Sequence, residues 1–196
     1  DILLHYPDDR KAEIRRKLGI EKDKRVILYA PTYRDEKNNK QLCPVNFDVW
    51  KNILGNNYVV LFRAHPIVIS QTKINPDSSF IIDVSTYPYN TDLMAVSDIL
   101  ISDYSGIFFE FGVQDKPMFC YAYDYEEYTK SRGLYFDIRD KIPGGHMKEE
   151  ELMEYIKNGD TQEIMSKCRD FKKEQITEYG NATVKCLNLI AENLGL

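Results

Sequence analysis

Three short polar clusters each follow directly on an apolar run: Pro31-Thr32-Tyr33-Arg34, Arg63-Ala64-His65-Pro66 and Asp103-Tyr104-Ser105-Gly106. Their residue types suit an anion. Arg34 offers a guanidinium fork that fits a phosphate, although an arginine opening a charged loop is often merely solvated. His65 can donate to a phosphate oxygen or protonate a leaving phosphate; standing alone it would read as an ordinary surface or core histidine. Ser105 and Gly106 lie where an apolar strand should turn into a helix. The unpaired N–H groups and partial positive charge of a helix start favour phosphate, and small residues let the anion approach the backbone. Ser105 also serves as a helix cap worth about 1 kcal/mol, a role compatible with binding. Asp103 can accept from a ligand hydroxyl or from backbone N–H groups of its own turn. Glu110, further along the expected helix, can reach ribose hydroxyls or pair with a lysine. Thr32 and Arg63 complete the expected ligand contacts.

The elements that must position these residues are strand-length apolar runs: residues 25–30 (RVILYA), 58–64 (YVVLFRA), 80–84 (FIIDV), 98–102 (DILIS) and 117–122 (PMFCYA). They show little polar alternation, as strands covered on both faces should. Helices are expected over Phe47 to Leu54, Thr91 to Val96 and Ser105 to Val113. From Lys148 onward, helical periodicity breaks near Asn158-Gly159-Asp160 and Tyr179-Gly180-Asn181. Strand and helix in alternation predict an α/β fold, a Rossmann-like doubly wound parallel sheet. In such a sheet ligands bind outside the carboxyl ends of the strands, so the three clusters should converge on one edge. Residues 34–44 (RDEKNNKQLCP) read as a mobile surface loop.

Composition limits the function classes. A chain of 196 residues with 43% hydrophobic content can bury one substantial core, which predicts a single domain over residues 1–196. The net charge is −5 and Lys and Arg form no dense run, so nucleic acid is not an expected partner. Cys43, Cys120, Cys168 and Cys186 are widely spaced, without a zinc pattern, and read as reduced cysteines of a cytoplasmic protein. No carboxylate cluster has metal-ligand spacing, and no metal site is expected. The chain has no apolar run approaching the roughly 20 residues that span a bilayer. Starting at Asp1, it reads as a piece excised from a larger protein.

Taken in order, VILYAPTYR, FRAHP, DLMAVSDILISDYSGIFFEFGVQDKPMFCY and RGLYFDIRDKIPG closely resemble the C-terminal domain of the CDP-glycerol glycerophosphotransferases, the teichoic acid primases and polymerases. The resemblance runs over nearly the whole chain. It implies one half of a GT-B architecture, the half that binds the nucleotide donor. It also implies a CDP-glycerol or CDP-ribitol donor and a lipid-linked polymer acceptor held by a missing N-terminal domain. Such a parent protein would work at the cytoplasmic face of the cell membrane as a peripheral enzyme. His65 matches the family's H-P element, and Asp103 and Ser105 its D-Y-S element, both tied to donor binding or catalysis. The family's other histidine, the acceptor's base, has no counterpart here. No cofactor is implied beyond a divalent cation carried by the donor's pyrophosphate. Rival readings are the donor domain of a nucleotide-sugar glycosyltransferase or epimerase, or a non-catalytic nucleotide-binding module. Gly106 stands where the family commonly has a second Ser or Thr, which removes a hydroxyl from the phosphate cradle. Pro143-Gly144-Gly145 replaces the usual P-G-P and is expected to loosen the loop before the final helices.

Overall fold

The computed structural model describes residues 1–34, 45–69 and 79–195. The expected loop after Arg34, with Cys43, lies outside the described residues. All five expected strands are present: β1 (Arg25–Tyr29), β2 (Tyr58–Phe62), β3 (Ile81–Asp83), β4 (Ile99–Ser102) and β5 (Met118–Cys120). They form one sheet in the order β3-β2-β1-β4-β5, and every pairing is parallel. In the centre, Leu28 sits between Leu61 and Leu100 in register. β2, β4 and β5 are buried along their whole length, as the unbroken apolar runs require. β1 opens on an exposed Arg25, and in β3, one of the two edge strands, burial falls from Ile81 to an exposed Asp83.

The described helices are α1 (Asp8–Lys17), α2 (Phe47–Leu54), α3 (Asn90–Val96), α4 (Ile107–Phe111), α5 (Tyr125–Arg132), α6 (Ile138–Lys141), α7 (Glu149–Asn158), α8 (Thr161–Gln175) and α9 (Ala182–Leu194). α2 matches its expected span. Asn46 caps it by accepting from the Asp48 N–H at 3.1 Å, and the buried Trp50 donates from Nε1 to Glu149 at the start of α7 at 2.8 Å. The helix expected from Ser105 begins two residues later, then tightens into a 3₁₀ turn at Gly112–Gln114. Both breaks expected after Lys148 occur. At the first, Asp160 accepts from the Gln162 N–H at 2.7 Å, and a Cβ on Gly159 would lie 2.4 Å from the Tyr155 carbonyl. α1, α5 and α6 lie outside the expected set. The ten residues of α1 bury only Ile14, and α5 buries none, so neither carries the apolar stripe by which a helix is read.

The Pro143-Gly144-Gly145 loop is packed rather than loosened, which corrects the expectation from sequence. The Pro143 carbonyl accepts from the Cys120 N–H at 2.8 Å. Gly144 has φ +87°, and a Cβ on Gly145 would fall 2.3 Å from the Arg139 Cα, so the second glycine is a condition of close packing. Cys120 and Cys168 are buried, Cys186 is exposed, and all three are free thiols.

Because β1 leads to β2 on one side while its other neighbour β4 leads to β5, the chain runs away in opposite directions from the β1–β4 pair. A crevice opens there at the carboxyl edge, the ligand position of doubly wound folds.

Candidate functional site

The crevice is a cavity of about 510 Å³. It brings together Thr32, Arg63, His65, Ser105, Gly106 and Glu110 from the expected set, and adds Tyr33, Tyr104 and Asn90. Asp103 and Arg34 are not among its lining residues.

His65 ends the extended segment after β2, and Pro66 opens the 3₁₀ turn Pro66–Val68. The imidazole Nδ1 accepts from the Ile67 N–H at 3.3 Å. With Nδ1 occupied as an acceptor, a neutral ring carries its proton on Nε2, which leaves that nitrogen as a donor. Burial lowers the His65 pKa below its ordinary value and so favours the neutral ring. The Tyr33 ring packs against it with centroids 4.7 Å apart, and the Tyr33 hydroxyl accepts from Arg132 at 2.8 Å. Beside His65, the Arg63 guanidinium donates to the carbonyls of Val84 at 3.1 Å and Tyr87 at 2.8 Å. Arg63 thus fastens the β3–α3 connection to the cavity wall. Its half-buried position lowers its pKa.

Opposite stands the Ser105-Gly106 turn. The Ser105 Oγ accepts from the Ile107 N–H at 3.2 Å, which leaves the hydroxyl hydrogen to donate elsewhere. Ser102 secures the end of β4 by donating to the Ala30 carbonyl at 2.6 Å. Gly106 has φ −61°, and a Cβ built there meets nothing within 4 Å, so neither backbone nor packing demands glycine. The missing Cβ leaves open space beside the turn. Glu110 is exposed on the same short helix.

Asp103 and Arg34 lie behind the cavity wall, paired with other residues of the protein. Asp103 is 2% exposed. Its Oδ1 accepts from the Thr32 and Tyr104 N–H groups at 2.8 Å each, and its Oδ2 from Arg34 at 2.9 Å. Of the two acceptor roles read for Asp103, the structure fills that of backbone partner. Arg34 also forks onto Asp124 at 2.6 and 2.8 Å and donates to the Thr32 carbonyl at 2.6 Å. Its guanidinium carbon lies 5.0–5.3 Å from the ring centroids of Tyr104, Tyr123 and Tyr128. Burial alone would push the Arg34 pKa down, but the hydrogen bonds to Asp124 and the charges of Asp103 and Asp124 hold it above its ordinary value. Tyr104 stacks on Tyr128 with centroids 3.9 Å apart and donates to Asp124 at 3.0 Å. Burial first and the Asp124 charge second push the Tyr104 hydroxyl upward.

This closed cluster braces the loops that carry Thr32 and Ser105. It leaves two gaps on the cavity side. Among the described residues, the buried side-chain polar atoms without a partner are Thr32 Oγ1 and Asn90 Oδ1, and both residues line the cavity. Buried polar groups are nearly always paired, so each of these two atoms is an unmet hydrogen bond within a residue of the cavity wall. Among the described residues no group of three His, Cys, Asp or Glu side chains could hold a metal ion.

Fold and cavity together define a Rossmann-like α/β domain whose ligand crevice lies at the strand-order switch point. The chain belongs to the CDP-glycerol:poly(glycerophosphate) glycerophosphotransferase family, whose model matches residues 1–192. It is 40% identical over 152 residues to the teichoic acid glycerol-phosphate transferase of Staphylococcus aureus, covering 74% of this chain and 39% of that protein. It is 33% identical over 182 residues to the teichoic acid glycerol-phosphate primase of Bacillus spizizenii, covering 92% and 47%. Among solved structures, the wall teichoic acid polymerase TagF superposes with a TM-score of 0.82 at 31% identity, covering 99% of this chain and 50% of TagF. A TagF variant soaked with CDPG gives a TM-score of 0.80 at 32% identity, covering 99% and 49%. The chain therefore spans half or less of the length of these relatives.

Proposed function

We propose that this chain is the donor-binding half of a GT-B transferase that moves alditol phosphate from CDP-glycerol, or CDP-ribitol, to a hydroxyl on a lipid-linked acceptor. The observation that carries the reading is one cavity gathering Thr32, His65, Ser105, Gly106 and Glu110 from three strand ends. Family membership and the relatives named above support the same chemistry.

The reaction is an in-line displacement. The acceptor oxygen forms a bond to the alditol-linked phosphorus, the bond from that phosphorus to the bridging oxygen breaks, and CMP leaves with the electron pair. Little covalent chemistry falls to the protein, so catalysis is positioning and charge stabilisation. The Ser105 hydroxyl, the Thr32 hydroxyl and the backbone at Gly106 hold phosphate oxygens. His65 donates from Nε2 to the oxygen on which charge builds. Glu110 takes the ribose hydroxyls. Asp103 and Arg34 act as positioning residues behind this wall. A divalent cation would arrive on the donor's pyrophosphate. The acceptor and its base belong to another domain of the parent enzyme, which works in the cytoplasm at the membrane face. Among the described residues no helix is long and apolar enough to cross a membrane.

Calorimetry of this chain with CMP, UMP and GMP tests the reading. CMP binding tighter than the other two is expected; equal affinity for all three, or no binding, contradicts it.

A further inference from the structure

Tyr33 belongs to the first of the three polar clusters, yet the mechanism above gives it no part. It lines the cavity, and its ring packs on the imidazole of His65 with centroids 4.7 Å apart and planes tilted by 37°. That separation falls in the range of about 4.5–7 Å in which aromatic rings attract. An imidazole that must present one nitrogen to a reacting oxygen needs its plane held. The torsion about the Cβ–Cγ bond of histidine has a broad minimum, so the ring turns easily unless a neighbour restrains it. The hydrogen bond from the Ile67 N–H to Nδ1 decides which nitrogen faces the turn, but at 3.3 Å it is long and restrains the plane weakly. An aromatic ring packed on the imidazole supplies the restraint that this bond does not.

Tyr33 is itself held on both sides. The Thr32 N–H before it is bound by Asp103 at 2.8 Å, and the Arg34 side chain after it reaches both Asp103 and Asp124. Asp124 stands at the N-cap of α5 and Arg132 ends that helix. Arg132 donates to the Tyr33 hydroxyl at 2.8 Å, with its guanidinium carbon 5.1 Å from the ring centroid. α5 buries no residue of its own, but it grips the Thr32–Arg34 segment from each of its ends.

We infer that Tyr33 is a positioning residue for the transfer: Arg132 and the braced cluster fix its ring, and its ring fixes the plane of the His65 imidazole. A rigid support of this kind spares the histidine the ordering cost that a freely turning ring would meet on the way to the transition state.

This inference rests on His65 as the charge-stabilising donor of the proposed function, and the test separates the two. The full-length transferase is assayed with CDP-glycerol as the natural protein and as Tyr33→Leu, Tyr33→Phe, His65→Ala and the double variant Tyr33→Leu/His65→Ala, with thermal unfolding to check each fold. Tyr33→Leu should lower kcat about tenfold while the KM for CDP-glycerol stays within about twofold, as misplacing a group that acts in the transition state does. Tyr33→Phe keeps the ring and loses only the Arg132 bond, so it should recover most of the rate. On the His65→Ala background, Tyr33→Leu should cost nothing further, because no imidazole remains to be positioned. Additive losses in the double variant, a raised KM with kcat unchanged, a near-normal kcat in Tyr33→Leu, or a Tyr33→Phe as slow as Tyr33→Leu overturns the inference while leaving the role of His65 standing. Near-normal kcat in His65→Ala removes that role and the inference with it. The NMR spectrum of the natural 196-residue chain reads the contact without any variant. Cross-relaxation between the Tyr33 and His65 ring protons is expected, and its absence overturns the inference even where Tyr33→Leu does not fold.

Discussion

Two regions share the carboxyl edge of this sheet and treat polar groups in opposite ways. Behind the edge, Arg34, Asp103, Asp124, Tyr104 and Tyr128 form a closed set in which the carboxylates, the guanidinium and the Tyr104 hydroxyl meet partners within the protein. In front of it, Thr32 and Asn90 keep buried oxygens unpaired, and both line the cavity together with His65 and Ser105. Thr32 joins the two: its N–H is held by Asp103 while its hydroxyl is left open. The difference separates residues that brace the edge from residues that line its cavity. A buried charge is tolerable only when paired, so the buried charges Arg34, Asp103 and Asp124 are taken up by one another.

The closed region should break with the largest effect. Arg34→Met strands two mostly buried carboxylates, Asp103 at 3% and Asp124 at 14% side-chain exposure. Breaking such a cluster from one side costs about 3–5 kcal/mol, which chemical denaturation will measure as a lower midpoint. A stability change within experimental error would return Arg34 to the ligand-binding role read from the sequence.

The open region should respond in activity and leave stability nearly untouched. His65→Ala in the full-length transferase should lower kcat by about 10² to 10³, as loss of one charge-stabilising donor does, with an unfolding midpoint close to that of the parent. Near-normal kcat would make His65 an ordinary turn residue. Its titration sharpens the point. Burial holds the free imidazole below its ordinary value of 6.5, whereas a bound anionic diphosphate favours the charged ring. The His65 NMR titration midpoint should therefore start below 6.5 and move up when CDP-glycerol is added.

The sequence made one of these regions far more legible than the other. Strand ends could be located because the buried parallel strands leave unbroken apolar runs, and polar residues just beyond them stand out. That is how Thr32, His65 and Ser105, which line one cavity, can be placed at one edge of the sheet from sequence. The braced cluster was hidden because Arg34 meets Asp124 across 90 positions, at the cap of a helix that buries nothing and shows no apolar period. Residue type alone could not say whether Arg34 and Asp103 faced a ligand or each other. Asn90 was invisible for another reason: an asparagine before a helix reads as a turn, and only the packing around its carboxamide exposes an unpaired oxygen. The Pro143-Gly144-Gly145 loop misled because glycine suggests freedom, while here it marks the lack of room beside Arg139.

The central claim is that the open cavity, and not the braced cluster, receives the donor. Amide chemical-shift mapping of this chain with CDP-glycerol tests it most directly. Saturable shifts centred on Thr32, His65, Asn90, Ser105, Gly106 and Glu110 are expected, with Asp124 and Tyr128 little changed. Shifts centred on Asp124 and Tyr128, or no saturable shift at all, would contradict it.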